Sequence, residues 1–123
     1  MEHVENPFKA SKEIVRVLKR NGILYSELPF LQSIHEKEFD FTRFTLNGHL
    51  KLFSSLRIRE KGISKGFYIV VLWMLRDQLK IISPILSKLF FVIFYPLFYV
   101  LDSFLRFYFK DTYSESFIIG QKK

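Results

Sequence analysis

The feature that most constrains this chain is the apolar region between residues 67 and 110. It holds two strongly hydrophobic runs, "FYIVVLWML" and "LFFVIFYPLFYVL". The segment between the runs carries the charged residues Arg76, Asp77, Lys80 and Lys88. Each run is shorter than the roughly 18–20 apolar residues that a membrane-spanning helix needs. We therefore predict a pair of helices that lies in a membrane interface, and a single span through residues 81–101 is the alternative.

Two prolines subdivide this region. We expect Pro84 to separate two helices and Pro96 to kink the second, so that the apolar runs are broken further. On a helical wheel of the second helix, the polar side chains form one narrow stripe of Lys88, Tyr95, Tyr99, Asp102, Arg106 and Lys110. The rest of the circumference is apolar, which is typical of a helix that lies in a membrane interface or is buried in a larger partner.

Charge and composition narrow the partners and the compartment. A net charge of +7 favours anionic partners, either nucleic acid or an acidic membrane surface. Because the aromatic residues cluster with aliphatic ones instead of alternating with Lys and Arg, nucleic acid is the less favoured partner. No cysteine occurs, which excludes disulfides, thiolate metal sites and a cysteine nucleophile. The first residues show no apolar segment of the signal-peptide type, and we expect a cytoplasmic, peripheral membrane location.

Local patterns outside the apolar region predict an α/β fold. Asn6 and Pro7 suit the first turn of a helix, and Asn21-Gly22 suits its end. A strand follows at once and ends at Pro29, and such a short helix-to-strand connection is typical of α/β units. The predicted elements are a helix over 7–20, a strand over 23–29, a short helix after Thr45, and strands over 56–62 and 114–121.

The segment "EHVENPFKASKEIVRVLKRNGILYSELPF" resembles the second half of the class I S-adenosylmethionine-dependent methyltransferase domain, of the methyltransferase type 11 kind. The family pattern is an acid–His or His–His pair after the fourth strand, a helix that ends in "RVLKPGG", and the fifth strand. "PFLQSIHEKEFDFTRFT" is similar to the "PF-x4-H-x4-D-x2-RFT" segment that follows this strand in one branch, and "SFIIGQKK" is similar to the family's last strand. The resemblance covers residues 2–63 and 113–122.

The resemblance implies a partial Rossmann-like methyltransferase sheet made of the family's last three strands, with the final strand antiparallel and between the other two. The apolar helices would then be an insertion before that strand. The predicted divisions are residues 1–66, the C-terminal half of a methyltransferase domain; residues 67–110, the inserted pair of hydrophobic helices; and residues 111–123, the last strand and tail.

The same resemblance implies a transferase that uses S-adenosylmethionine, but the family's glycine-rich loop and ribose-binding acid do not occur in this sequence. We therefore expect an acceptor-side fragment that is inactive alone, binds the cofactor poorly and depends on a separate N-terminal half. Since the insertion points to a membrane, the methyl acceptor would be lipid-linked or a surface-glycan precursor. The alternative is a non-enzymatic small membrane-associated protein derived from a methyltransferase.

Candidate site residues lie mainly in the segment after Pro29. This segment would sit beyond the carboxyl end of a strand, where open α/β sheets bind ligands. We predict His35 as the base for the acceptor, with Asp40 orienting it and Arg43 holding an acidic acceptor group. In the other interpretation, Asp40 and Arg43 pair to brace the loop.

Four further residues are assigned to the acceptor side, namely Glu2, His3, Phe30 and Phe44. By the resemblance, Glu2 and His3 would follow the family's fourth strand, near the transferred methyl group. Two potential ligands at the start of a chain are a weak signal for a metal, so none is predicted, and a frayed N-terminus is the alternative. The alternative for Phe44 is a place in the core. His49, in the short helix, is predicted to be solvated surface.

Overall fold

The computed structural model describes residues 1–123 and has a mixed α/β fold. The contacts within the chain divide it into two compact units. The sheet unit consists of residues 1–30, 34–64 and 115–123, and the hairpin unit consists of residues 31–33 and 65–114. The three strands belong to the first unit and the two apolar helices to the second.

The sheet unit is built on three strands and two short helices. Its elements are α1 (Pro7–Val17), β1 (Ile23–Pro29), α2 (Leu46–Leu52), β2 (Arg57–Lys65) and β3 (Glu115–Gln121). The strands form an antiparallel sheet in the order β1–β3–β2. In the pairing of β1 with β3, Ile23 lies opposite Gln121 and Pro29 opposite Glu115. The prediction that the last strand lies between the two earlier strands and runs antiparallel to them is confirmed.

Helix α1 begins at a local capping signal, and the segment that follows it is held by a residue near the C-terminus. The predicted cap Asn6 is confirmed, since its side chain accepts a hydrogen bond from the first turn. Asn21 adopts a φ of 61°, the left-handed conformation that commonly follows a helix. The amine of Lys122 donates to the carbonyl oxygen of Leu18 at 2.7 Å. The helix itself ends at Val17, earlier than the sequence pattern predicted, and the chain just past it is held by Lys122, the residue that follows β3.

The core of the sheet unit forms where α2 packs on β3. Its buried residues are Leu28, Phe44, Leu52, Phe53, Leu56 and Ile118. A Cβ atom at Gly120 would stand only 2.8 Å from Cδ1 of Leu56, so any larger residue at this strand position would displace this core side chain. The opposite face of the sheet is open, and Ile23 and Tyr25 of β1 are 66% and 57% exposed there.

The hairpin unit consists of α3 (Phe67–Ile82) and α4 (Pro84–Leu105). Ser83 alone connects them, and its hydroxyl accepts a hydrogen bond from the N–H of Leu86 at 3.3 Å. The helices pack antiparallel: the rings of Trp73 and Phe91 are tilted against each other with centroids 5.2 Å apart, and the hydroxyl of Ser87 donates to the carbonyl of Arg76 at 3.0 Å. Pro84 occupies the first turn of α4, which confirms that it separates two helices.

The expectation that the second apolar run is broken and too short to span a membrane is wrong. Pro96 lies inside α4, but the helix continues through it without interruption for 22 residues. At 1.5 Å per residue this is about 33 Å, comparable with the hydrocarbon thickness of a bilayer. One helix, α4, is therefore long and apolar enough to cross a membrane. The helix ends at Leu105, short of the predicted end at Lys110.

Candidate functional site

The segment after β1 folds as a loop that is braced by an ion pair. The carboxylate of Asp40 accepts hydrogen bonds from two guanidinium nitrogens of Arg43. It also accepts one from the backbone N–H of His35 at 3.0 Å, which fixes the turn that carries this histidine. The backbone N–H of Phe44 donates to the carbonyl of Pro29 at 3.4 Å and ties the end of the loop to the end of the strand. Asp40 and Arg43 therefore brace the loop.

The electrostatics of the loop centre on Asp40, whose side chain is only 3% exposed. Burial raises the pKa of this carboxyl, but the hydrogen bonds from Arg43 and from the backbone of His35, together with the charge of Arg43, outweigh it. The net effect holds the pKa of Asp40 below its ordinary value. Asp40 is thus an ionised brace across the neutral pH range, and the imidazole of His35 lies beside it, with Nδ1 3.8 Å from Oδ2.

The first residues of the chain dock on this loop. The backbone N–H of Phe41 donates to the carbonyl of Glu2 at 2.9 Å. Nδ1 of His3 lies 3.1 Å from the carbonyl oxygen of Phe39. The rings of His3 and His35 meet edge to face, with centroids 4.9 Å apart. The structure therefore brings together three predicted site residues, Glu2, His3 and His35, from two segments that are distant in sequence.

The remaining predicted residues have other positions. Phe44 is 7% exposed and belongs to the hydrophobic core, where it packs with α2 residues. Phe30 is half-buried at the end of β1. Arg43 is half-buried and engaged with Asp40. Among the predicted polar site residues, His35 has the most exposed side chain, at 44%.

The prediction that His49 is solvated surface is wrong. Its side chain is fully buried, with Nε2 2.9 Å from the hydroxyl of Ser26 on β1 and Nδ1 3.2 Å from the hydroxyl of Ser116 on β3. Burial, with a smaller contribution from the N-terminal ammonium group, lowers the pKa of His49 to about 4. The available signal was its spacing, since His49 falls three residues after Leu46 and four before Phe53 on the inward face of α2.

The predicted polar stripe of α4 is also only partly a surface feature. Asp102 is 3% exposed and accepts hydrogen bonds from the backbone N–H groups of Gly66 and Tyr68, at 2.8 and 3.1 Å. It caps α3 and does not face solvent. On the other helix, the guanidinium of Arg76 lies over the rings of Trp73 and Phe91, 4.8 and 5.1 Å from their centroids. Charges of the hairpin are thus used to hold its two helices together.

Most of the apolar surface of the hairpin is exposed. The exposed residues of α4 include Ile85, Leu89, Val92, Ile93, Leu97, Val100 and Phe104. Soluble monomers rarely expose apolar patches larger than a few hundred Å². Among these residues, Ile85 in the first turn is 72% exposed and Phe104 in the last turn is 76% exposed, so both ends of the helix offer apolar side chains to the surroundings.

One group of side chains could hold a metal ion. Ligand atoms of Glu2, His3 and His35 all lie within 4.8 Å of one another. The residues do not fit S-adenosylmethionine, because the chain has no glycine-rich loop and none of its five glycines adopts a positive φ of the kind such loops use.

Comparison with family models, with curated proteins and with solved structures finds no match to this chain.

Proposed function

We propose that this chain is the acceptor-side half of a class I S-adenosylmethionine-dependent methyltransferase that works at a membrane surface. The observation that carries the proposal is the strand order β1–β3–β2. Strand β3 follows the helical hairpin in sequence, yet it lies between β1 and β2 in the sheet. It pairs antiparallel with β1. This is the arrangement that the resemblance implies for the last three strands of the family's Rossmann-like sheet.

The position of His35 supports an acceptor-side role. The residue follows the carboxyl end of β1, where ligands of open α/β sheets bind. Its turn is fixed by the backbone hydrogen bond to Asp40, and its imidazole is exposed enough to meet an acceptor. In this proposal His35 takes the proton of an acceptor hydroxyl or amine, and Asp40 positions it. Arg43 serves as the partner of Asp40.

The hairpin unit supports action at a membrane. The length of α4 and its exposed apolar residues are compatible with association with a bilayer. The net charge of +7 favours a surface that carries anionic lipid. We propose that the hairpin holds the protein on the cytoplasmic face and that the methyl acceptor is lipid-linked or a glycan precursor.

The cofactor would be held elsewhere in this proposal. Because the residues present do not fit S-adenosylmethionine, we assign its binding to the N-terminal half of the domain, which these residues do not include. Calorimetry on the purified chain is therefore expected to detect no binding, and micromolar affinity would contradict the fragment assignment.

The experiment that tests the activity compares membranes with and without this chain. Membranes from the source cells and from a deletion strain are incubated with S-adenosylmethionine that carries a tritiated methyl group. We expect a labelled lipid or glycan product that is lost on deletion, restored by the wild-type chain and by the control Lys37→Ala, and not restored by His35→Ala. Identical labelling with and without the chain would reject the enzyme.

A second candidate function is favoured by the apolar surface of the hairpin. A non-enzymatic membrane-associated protein derived from a methyltransferase would need the hairpin but not His35. Unchanged methyl labelling, together with loss of membrane association when Val92 and Phe104 are replaced by serine, would support this function in place of the enzyme.

A further inference from the structure

We propose that Glu2, His3 and His35 form a binding site for a divalent transition-metal ion of the Zn²⁺ type. The proposal rests first on geometry, because one ligand atom from each residue lies within 4.8 Å of the other two. The segments are held in this arrangement by backbone, since Phe41 donates to the carbonyl of Glu2 at 2.9 Å. The site is thus assembled by the fold and does not depend on side-chain contacts alone.

The second argument is the orientation of His3. A carbonyl oxygen can only accept a hydrogen bond, so the contact of Nδ1 with the carbonyl of Phe39 at 3.1 Å places the proton of a neutral ring on Nδ1. The lone pair is then on Nε2, which lies 3.7 Å from Oε1 of Glu2. The other oxygen of this carboxylate, Oε2, accepts a hydrogen bond from the N-terminal ammonium at 3.0 Å, so Oε1 and the lone pair of Nε2 are the two atoms that can face an ion. Metal-binding histidines commonly show this backbone bond on the second nitrogen.

The third argument is the support behind His35. Asp40 accepts the backbone N–H of His35 and lies near its ring, with Nδ1 3.8 Å from Oδ2. Arg43 holds Asp40 in turn through its guanidinium. A carboxylate next to a ligating histidine is a frequent outer element of metal sites, where it fixes the ring and raises its basicity.

The ligand set indicates the class of ion. Two imidazole nitrogens and one carboxylate oxygen suit Zn²⁺ and its first-row neighbours, whereas Mg²⁺ and Ca²⁺ prefer oxygen ligands alone. Tetrahedral ligands about 2 Å from Zn²⁺ lie about 3.4 Å from one another, so no pair of ligand atoms would need to close by more than about 1.4 Å on binding. The side chains of Glu2, His3 and His35 are 18%, 31% and 44% exposed, so an ion can enter from solvent. A fourth position would stay open to water or a ligand.

This site does not rest on the proposed function. It gives His35 the role of a ligand, and a ring that binds the ion through its one lone pair does not serve as the base for an acceptor. The site needs neither cofactor nor acceptor. The third histidine of the sequence, His49, is fully buried and is retained in every variant below.

The test is a metal titration of the full chain in detergent micelles, with a purification tag that contains no histidine. Co²⁺ binding is followed by visible absorption, and Zn²⁺ binding by competition and calorimetry. We expect one ion per chain with the strong visible bands of a tetrahedral site. His3→Ala, His35→Ala and Glu2→Gln should each weaken binding at least about tenfold. The matched control Glu38→Gln, an exposed acid of the same loop, should bind as the wild type does.

Circular dichroism of each variant checks that the fold is kept, which is expected since the three side chains are partly exposed. Absence of stoichiometric binding by the wild-type chain would overturn the proposal. So would wild-type affinity in both His3→Ala and His35→Ala. Because the titration contains no S-adenosylmethionine or membrane extract, its failure is distinct from failure of the methyltransferase assignment.

Discussion

The carboxylate of Asp102 caps the helix that begins after Gly66, although 36 residues separate the two. Its Oδ2 accepts the N–H of Gly66 at 2.8 Å, and its Oδ1 accepts the N–H of Tyr68 at 3.1 Å. Gly66 offers no side chain to cap α3 itself. A Cβ atom there would stand 2.6 Å from Cβ of Arg106, so the close approach of the helix ends requires glycine. The start of α3 and the end of α4 are thus held together by the buried carboxylate of Asp102, and the absence of a side chain at Gly66 allows them to approach closely.

Replacing Asp102 should loosen the hairpin. Asp102→Ala leaves the N–H groups of Gly66 and Tyr68 without their acceptor and removes a negative charge from the positive end of α3, at a cost of about 1–3 kcal/mol. The measurement is the rate of limited proteolysis within the hairpin unit in detergent micelles. The neighbouring Ser103→Ala, on the exposed side of α4, is the control. Equal rates for the two variants would show that the cap contributes nothing.

Stability should fall as His49 is protonated. Its pKa is about 4 in the folded protein and about 6.5 when exposed. A depressed histidine pKa means that the unfolded chain binds the proton more tightly between these values, so stability is full above about pH 6.5 and declines towards pH 4. At pH 5 the free energy of unfolding should be about 2 kcal/mol lower than at pH 7.5.

Urea unfolding at the two pH values measures the effect. His49→Gln should unfold more easily at pH 7.5 but lose most of the difference between the two pH values, whereas His35→Gln should keep it. A pH difference that persists in His49→Gln would assign it to another group.

The Asp40–Arg43 pair should stabilise the sheet unit more than a surface pair of the same spacing. Arg43→Ala leaves the buried carboxylate without its main partner, and we expect a loss of about 1–3 kcal/mol. Arg16 and Glu13 form a pair with the same spacing on the surface of α1, with side chains 69% and 57% exposed. Arg16→Ala should cost less than about 1 kcal/mol.

The Asp40–Arg43 pair should also affect how the stability of the sheet unit changes at low pH. Because the folded pKa of Asp40 is depressed, its contribution is present above its unfolded pKa of about 3.9 and is lost as the pH falls through the folded pKa. Arg43→Ala removes a cause of this depression, so acid unfolding should begin at higher pH. Equal losses in Arg43→Ala and Arg16→Ala would mean that burial of Asp40 adds nothing.

The two ends of the hairpin unit should face the same side of a membrane. The backbone N–H of Ser114 donates to the carbonyl of Lys65 at 2.8 Å, so the chain enters and leaves the unit at one place. The absence of native cysteine allows single-cysteine labelling with an impermeant maleimide on anionic vesicles. Lys61→Cys and Lys123→Cys should react from the same side, and labelling from opposite sides would support a single span.

Labelling at the turn between the two helices tests whether the hairpin lies in one face of the membrane or crosses it. Lys80 and Lys88 are exposed on either side of Ser83 and can reach anionic headgroups. We therefore expect Ser83→Cys to react from the same side as the flanks, as an interfacial hairpin would. Reaction only from the opposite side would show that both helices cross.

Local signals in the sequence determined the elements of this protein. Asn6 caps α1, Pro84 begins α4, and Thr45 caps α2 through the N–H of Gly48, each within a few residues of the pattern that predicts it. Such contacts are between chain neighbours, so composition and spacing are sufficient to predict them. The central position of β3 was also predicted, but from a resemblance and not from local spacing.

Tertiary structure alone decided how distant residues meet. His49 is polar, yet hydroxyl groups on two strands pair with its ring and allow it to be buried. Asp102 belongs to a polar stripe on the wheel, but the approach of α3 turns it into a cap. His3 and His35 come together only because the loop after β1 folds back on the start of the chain. The spacing of His49 along α2 indicates an inward position, but its hydroxyl partners, like the partners of Asp102 and His3, come from residues far away in sequence that no local pattern records.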